Sequence, residues 1–208
     1  MSRFRGSGWL LIISASLLAL FWVLFALFLP MQKPYISWVL DDDWTWINCI
    51  GFSGSLTAVL AVMALFEFKK RKGYFDYIAF AFAIIGTVYL TSILFFEAFI
   101  LKGIALVNPE LILLDGSFYM YPSFKVANIV GGISFSFGMI GLSVRMMKER
   151  TFRRWKLIML LIASPLFGIV LFSGNIRLIG VLLFTISFVS IGKEMINHVR
   201  IMKNKGAE

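Results

Sequence analysis

Few residues in this chain could do chemistry, and their types and spacing narrow the choice at once. Gly51-Phe52-Ser53-Gly54 sets a serine among glycines, and a nucleophilic serine needs a base within hydrogen-bond reach. The only histidine is His198, which has Glu194 four residues before it. With one histidine and one cysteine, Cys49, a zinc site has too few ligands. Asp41-Asp42-Asp43 could attract a cation, but calcium wants about 6–8 oxygens from converging segments, and three consecutive carboxylates cannot all converge. The same carboxylates suit the start of a helix, where free backbone N–H groups and the helix dipole favour negative charge. No catalytic residue, cofactor or metal is therefore expected.

The elements that would carry these residues are membrane spans. Of 208 residues, 60% are hydrophobic and 15% charged, with a mean hydropathy of +0.87. The charges cluster between uncharged runs of roughly 20 residues, the number a helix needs to cross a hydrocarbon core of about 30 Å. Lipid admits only helices and closed barrels, and the alternating segments of a barrel are missing. The fold class is all-α, one polytopic domain over residues 1–208. Six spans are expected, at about 9–29, 44–66, 77–96, 126–144, 157–176 and 178–196. The first run is too long for a signal peptide and lacks a cleavage site, so it reads as an uncleaved span.

Sidedness follows from Arg145–Lys156, which holds six of the twenty Lys and Arg residues between two apolar runs. Cytoplasmic loops carry the basic excess. With this hairpin inside, alternation puts sixteen basic residues in inner segments and four (Lys33, Lys102, Lys125 and Arg177) in outer ones. Both termini are then cytoplasmic. The net charge of +9 is explained by this asymmetry, and no nucleic-acid partner is implied. The longest connection, 101–125, is outer. Asn108-Pro109-Glu110 predicts a short surface helix there, carried on by Leu111–Leu114 and stopped at Asp115-Gly116. Pro165 should kink the fifth span.

Gly51-Phe52-Ser53-Gly54 resembles the G-x-S-G motif that rhomboid intramembrane proteases place at a nucleophilic serine. Those proteases have a six-span core with the base histidine on the last core span. Here the motif lies on span two instead of span four. Ser53 falls about 13 Å inside the outer end, at about 1.5 Å per residue, whereas His198 lies at the inner end of span six. Gly51, Ser53, Gly54 and Ser55 read as a helix-packing face. As a whole, the six-span layout is similar to small bacterial membrane proteins grouped as domains of unknown function. That similarity implies the fold class and a bacterial plasma-membrane setting, and no activity.

Intramembrane polarity falls mainly in the outer half. Asn48, Ser53, Thr91, Glu97, Asn128, Ser134 and Arg177 are the candidate residues of an outer polar pocket roofed by 101–125. Glu97 is expected to pair with Arg177 or Lys125, because an ionisable group at the hydrocarbon edge tends to find a partner. The functional expectation is a plasma-membrane protein that binds a small amphiphile, or a partner membrane protein, through this half. Membrane lipid is its constant partner. The rivals are a small transporter, although no span carries a charge at mid-depth, and a lipid-modifying enzyme, for which no base or metal set can be assembled.

Overall fold

The structure, a computed structural model, describes residues 2–29, 35–69, 72–112, 122–168 and 174–205. The described residues form helices and no strand. The long helices are α1 (Ser2–Phe28), α3 (Asp43–Phe68), α4 (Tyr74–Phe99), α6 (Pro122–Lys148), α7 (Arg154–Gly168) and α8 (Gly174–Lys205). Two short ones, α2 (Tyr35–Val39) and α5 (Leu101–Val107), lie between them.

Among the described residues, α1, α3, α4, α6 and α8 are each long and apolar enough to cross a membrane. The expected span 157–176 is represented by α7, whose 15 described residues end at Gly168, and 169–173 lie outside the described residues. The residues left exposed on these helices are predominantly large and apolar. Ile13 and Leu20 on α1, Leu56 and Leu60 on α3, Ile85 and Val88 on α4, and Leu182 and Ile186 on α8 all face outward. Water would penalise such a perimeter, and lipid tails satisfy it.

Each long helix packs on the next in chain order, and α8 returns to pack on α1, so the six form a closed ring. Glycines let the backbones approach. Along the antiparallel α4–α6 seam, Ala79 faces Gly141, Ala83 faces Gly138, Gly86 faces Phe135 and Tyr89 faces Gly131. A Cβ at Gly86 or Gly138 would overlap the backbone of the opposite helix. Where the ring closes, a Cβ on Gly8 would lie 2.6 Å from the Gly192 carbonyl oxygen, and one on Gly192 would lie 2.5 Å from that of Gly8. Gly51 and Gly54 pack on Phe21, Leu17 and Leu18 of α1, as expected of a packing face. Without a hydrophobic force between helices in lipid, this close contact is what holds such a ring together.

The larger core fills one end of the ring, while at the other a smaller cluster, with Val39, Ile47 and Leu101 fully buried, packs beside an open space. Leu65, Met139, Leu142, Met146, Leu157, Leu160, Phe188 and Met195 are fully buried in a continuous core toward the basic loops. That core is sealed by charge. Lys69 has no exposed side-chain surface and binds Asp76, also fully buried, at 2.8 Å, together with Glu149. Arg145 completes the group through Nε to Asp76 Oδ1 at 2.9 Å, and Asp76 also accepts from the Gly73 N–H at 2.6 Å. Nearby, Lys156 bridges α7 to α8 through Glu194 at 2.6 Å and the Ser190 carbonyl at 2.7 Å. Lys69 stands first in a basic run that the sequence presents as a solvated face. Its burial shows that this one lysine clamps the α3–α4 connection to the end of α6.

At the opposite end, Asp41 Oδ1 accepts the Asp43 N–H at 3.0 Å and so serves the start of α3, while Asp43 Oδ1 accepts the Trp46 indole N–H at 2.6 Å and Asp42, at the N-cap position, makes no side-chain capping bond. Lys102 on α5 donates to the Asp41 carbonyl at 2.8 Å and lies 3.6 Å from Asp42. Asn108-Pro109-Glu110 starts a single 3-10 turn, Pro109–Ile112. The expected continuation through Leu114 lies outside the described residues.

Candidate functional site

The hollow end of the ring holds a cavity of about 370 Å³. It is drawn from all six long helices: the C-terminal parts of α1, α4 and α7 and the N-terminal parts of α3, α6 and α8. Aromatic rings make up nearly half of its lining. Phe25, Tyr35, Trp38 and Trp44 form a closed circuit, with neighbouring ring centroids 5.7 to 6.2 Å apart and meeting edge-on or tilted. Such arrangements set the positive edge of one ring against the negative face of the next. The Trp44 indole N–H donates to the Glu97 carbonyl oxygen at 2.8 Å, which fixes this circuit beside the end of α4.

Glu97 and Arg177 are the charged residues of the lining. Each feels the other's charge, yet they form no ion pair within 4.0 Å. The Arg177 guanidinium lies 5.1 Å from the centroid of the Trp22 ring, a cation–π distance. Among the described residues its buried Nε has no hydrogen-bond partner, and neither has the buried indole nitrogen of Trp38. An orphaned buried donor costs about 1–3 kcal/mol. The cavity therefore combines an apolar body with one cation, one carboxylate and unpaired donors.

Of the seven residues proposed from sequence, Glu97, Asn128 and Arg177 line this cavity together. The other four are placed elsewhere. Asn48 is fully buried near the start of α3, its amide donating to the Trp44 carbonyl at 2.9 Å. Thr91 turns its hydroxyl back onto the Thr87 carbonyl at 2.9 Å, and Ser134 is buried in helix packing. Ser53 faces outward, with its hydroxyl donating to the Cys49 carbonyl at 2.8 Å. The expected contact pair between Glu97 and Arg177 does not form, although both residues line the cavity. The other proposed partner, Lys125, has its side chain outside the described residues.

The aromatic walls were not legible as a site. Tyr35, Trp38 and Trp44 read as an interfacial belt, yet they turn inward around α2. Gly131 and Gly132, which let α6 approach and leave space, look like any other packing glycines. Among the described residues no group of three His, Cys, Asp or Glu side chains could hold a metal.

Fold and cavity together define a helical bundle with the length and apolarity of membrane-spanning helices, hollow at one end and packed at the other. Comparison with family models, with curated proteins and with solved structures finds no match.

Proposed function

We propose that the protein is a six-span plasma-membrane protein, with both termini in the cytoplasm, that binds a small amphiphile in the cavity. The observation that carries this reading is the cavity itself. It is an aromatic space of about 370 Å³ that keeps Glu97 and Arg177 apart and leaves donors unpaired. That volume is at the low end of the roughly 300–1,000 Å³ of small-molecule sites, and apolar walls with a few placed polar groups are their usual composition. The basic asymmetry supports an outer position for this end, because the described residues Lys69, Lys72, Arg145 and Lys156, all in segments read as inner, lie at the packed end. The packed core and the Lys69–Asp76–Glu149–Arg145 cluster close the inner end, which favours binding from the outer leaflet over an open channel.

The test is extraction in a mild detergent, followed by mass spectrometry of what co-purifies. An amphiphile should accompany the wild type and be lost from Ile93→Trp, which fills the cavity wall, while the variant keeps a wild-type melting profile. Equal retention in the two proteins, or an empty wild type, would overturn the reading.

A further inference from the structure

Two opposite charges on one cavity that do not neutralise each other restrict what can lie between them. A purely anionic ligand drawn to Arg177 would bring its charge beside Glu97. A purely cationic one drawn to Glu97 would meet Arg177. In a low-dielectric space such like-charge neighbours are costly, and an apolar ligand would add no contact partner to either charge. Among the described residues the lining offers no further charged group to offset either mismatch.

We infer that the ligand's polar end is a zwitterion, its anionic group on Arg177 and its ammonium facing Glu97. This rests on the reading of the cavity as an amphiphile site. The two ends are furnished differently. Arg177 brings its unpaired Nε–H and is held over Trp22, so its guanidinium is presented with a donor still free for a phosphate or carboxylate oxygen. Glu97 is tied by its own backbone to Trp44, one of the four rings of the aromatic circuit. Aromatic faces that line the same cavity as this carboxylate favour an ammonium ion over an anion. Trp38, in the same circuit, adds an unpaired indole donor for an ester or phosphate oxygen. An ammonium and an anionic group joined by a short linker occur in phosphoethanolamine lipid head groups and in free amino compounds of the same charge pattern.

The experiment titrates purified protein in detergent and follows tryptophan fluorescence, since Trp22, Trp38 and Trp44 all line the cavity. The probes are dihexanoyl phosphatidylethanolamine, dihexanoyl phosphatidylglycerol and free phosphoethanolamine. The zwitterionic lipid should bind at least about tenfold tighter than the anionic one, as pairing of a desolvated charge provides. Glu97→Gln, which keeps the backbone carbonyl that Trp44 uses, should erase that preference, and Arg177→Gln should weaken both lipids. Glu97→Asp, which keeps the charge, should retain the preference and shows that a loss in Glu97→Gln is not misfolding. Equal binding of the two lipids, or an unchanged preference in Glu97→Gln, overturns the zwitterion and leaves the amphiphile site standing. Free phosphoethanolamine binding as tightly as the lipid keeps the zwitterion and removes the amphiphile. Failure of every probe overturns both.

Discussion

The indole nitrogen of Trp44 donates to the backbone carbonyl of Glu97 at 2.8 Å, joining the first turn of α3 to the last turn of α4. Those two helices are sequential, but their connection lies at the far end of the ring. The bond therefore does at the cavity what the Lys69 cluster does at the opposite end. Trp44→Phe keeps the aromatic packing and removes the donor. It should lower stability by about 1 kcal/mol and weaken amphiphile binding, read from thermal unfolding and the fluorescence titration. Unchanged values in both would mean the bond contributes nothing to either.

The α4–α6 seam should be intolerant of side chains. Gly86→Leu and Gly138→Leu force backbone apart where no side chain can yield. Both should fail to give a monodisperse protein, or melt far below the wild type. Gly6→Ala and Gly103→Ala, where a Cβ meets nothing within 4 Å, should behave as wild type in the same assay.

The Lys69–Asp76 pair predicts a strong coupling at the packed end. Asp76→Asn leaves the buried ammonium of Lys69 with Glu149 as its remaining anionic partner, and should cost about 3 kcal/mol, as breaking a buried pair does. Lys69→Met in the same protein should recover part of that loss. A double-mutant cycle on unfolding in detergent measures the coupling. Strict additivity would show that the two charges act independently.

Ser53 should not behave as a nucleophile. Its hydroxyl is turned to the Cys49 carbonyl on the outward face of α3, away from the cavity. Wild type and Ser53→Ala should therefore be equally unlabelled by a fluorophosphonate probe. Labelling that vanishes in Ser53→Ala would refute this.

The topology prediction is tested by fusing a reporter that is active only outside the cytoplasm. Placed near Gly116 it should be active, and at the C-terminus silent. The reverse pattern would turn the cavity to the inner face.

The all-helical class was legible because hydropathy is a summed property of long runs, insensitive to individual contacts. The helix-packing role of Gly51 and Gly54 was legible too, since small residues on a span have few other uses. The site was only partly so. Glu97, Asn128 and Arg177 stand out as polar groups at span ends, and three-dimensional packing does bring them together. Asn48, Thr91 and Ser134 look equivalent in sequence, but each satisfies or buries its polar group within the helices instead. Which way a side chain points depends on helix rotation, and that is set by the glycine seams between neighbours. The aromatic circuit was hidden for a similar reason, because a tryptophan near a span end reads as an interface anchor until α2 is seen to fold inward. Lys69 was concealed among identical neighbours, and only the buried Asp76 seven residues later and Glu149 across the ring distinguish it.

Because the ring follows chain order and is closed by Gly8 against Gly192, the cavity is the last thing to exist during biogenesis. Neighbours in the chain are neighbours in the ring, so every contact between long helices but the last is local in sequence. The closing contact alone joins the two ends of the chain, and the helix that makes it carries Arg177. A chain shortened before α8 would keep Glu97 and lose both the closure and the arginine that shares its cavity.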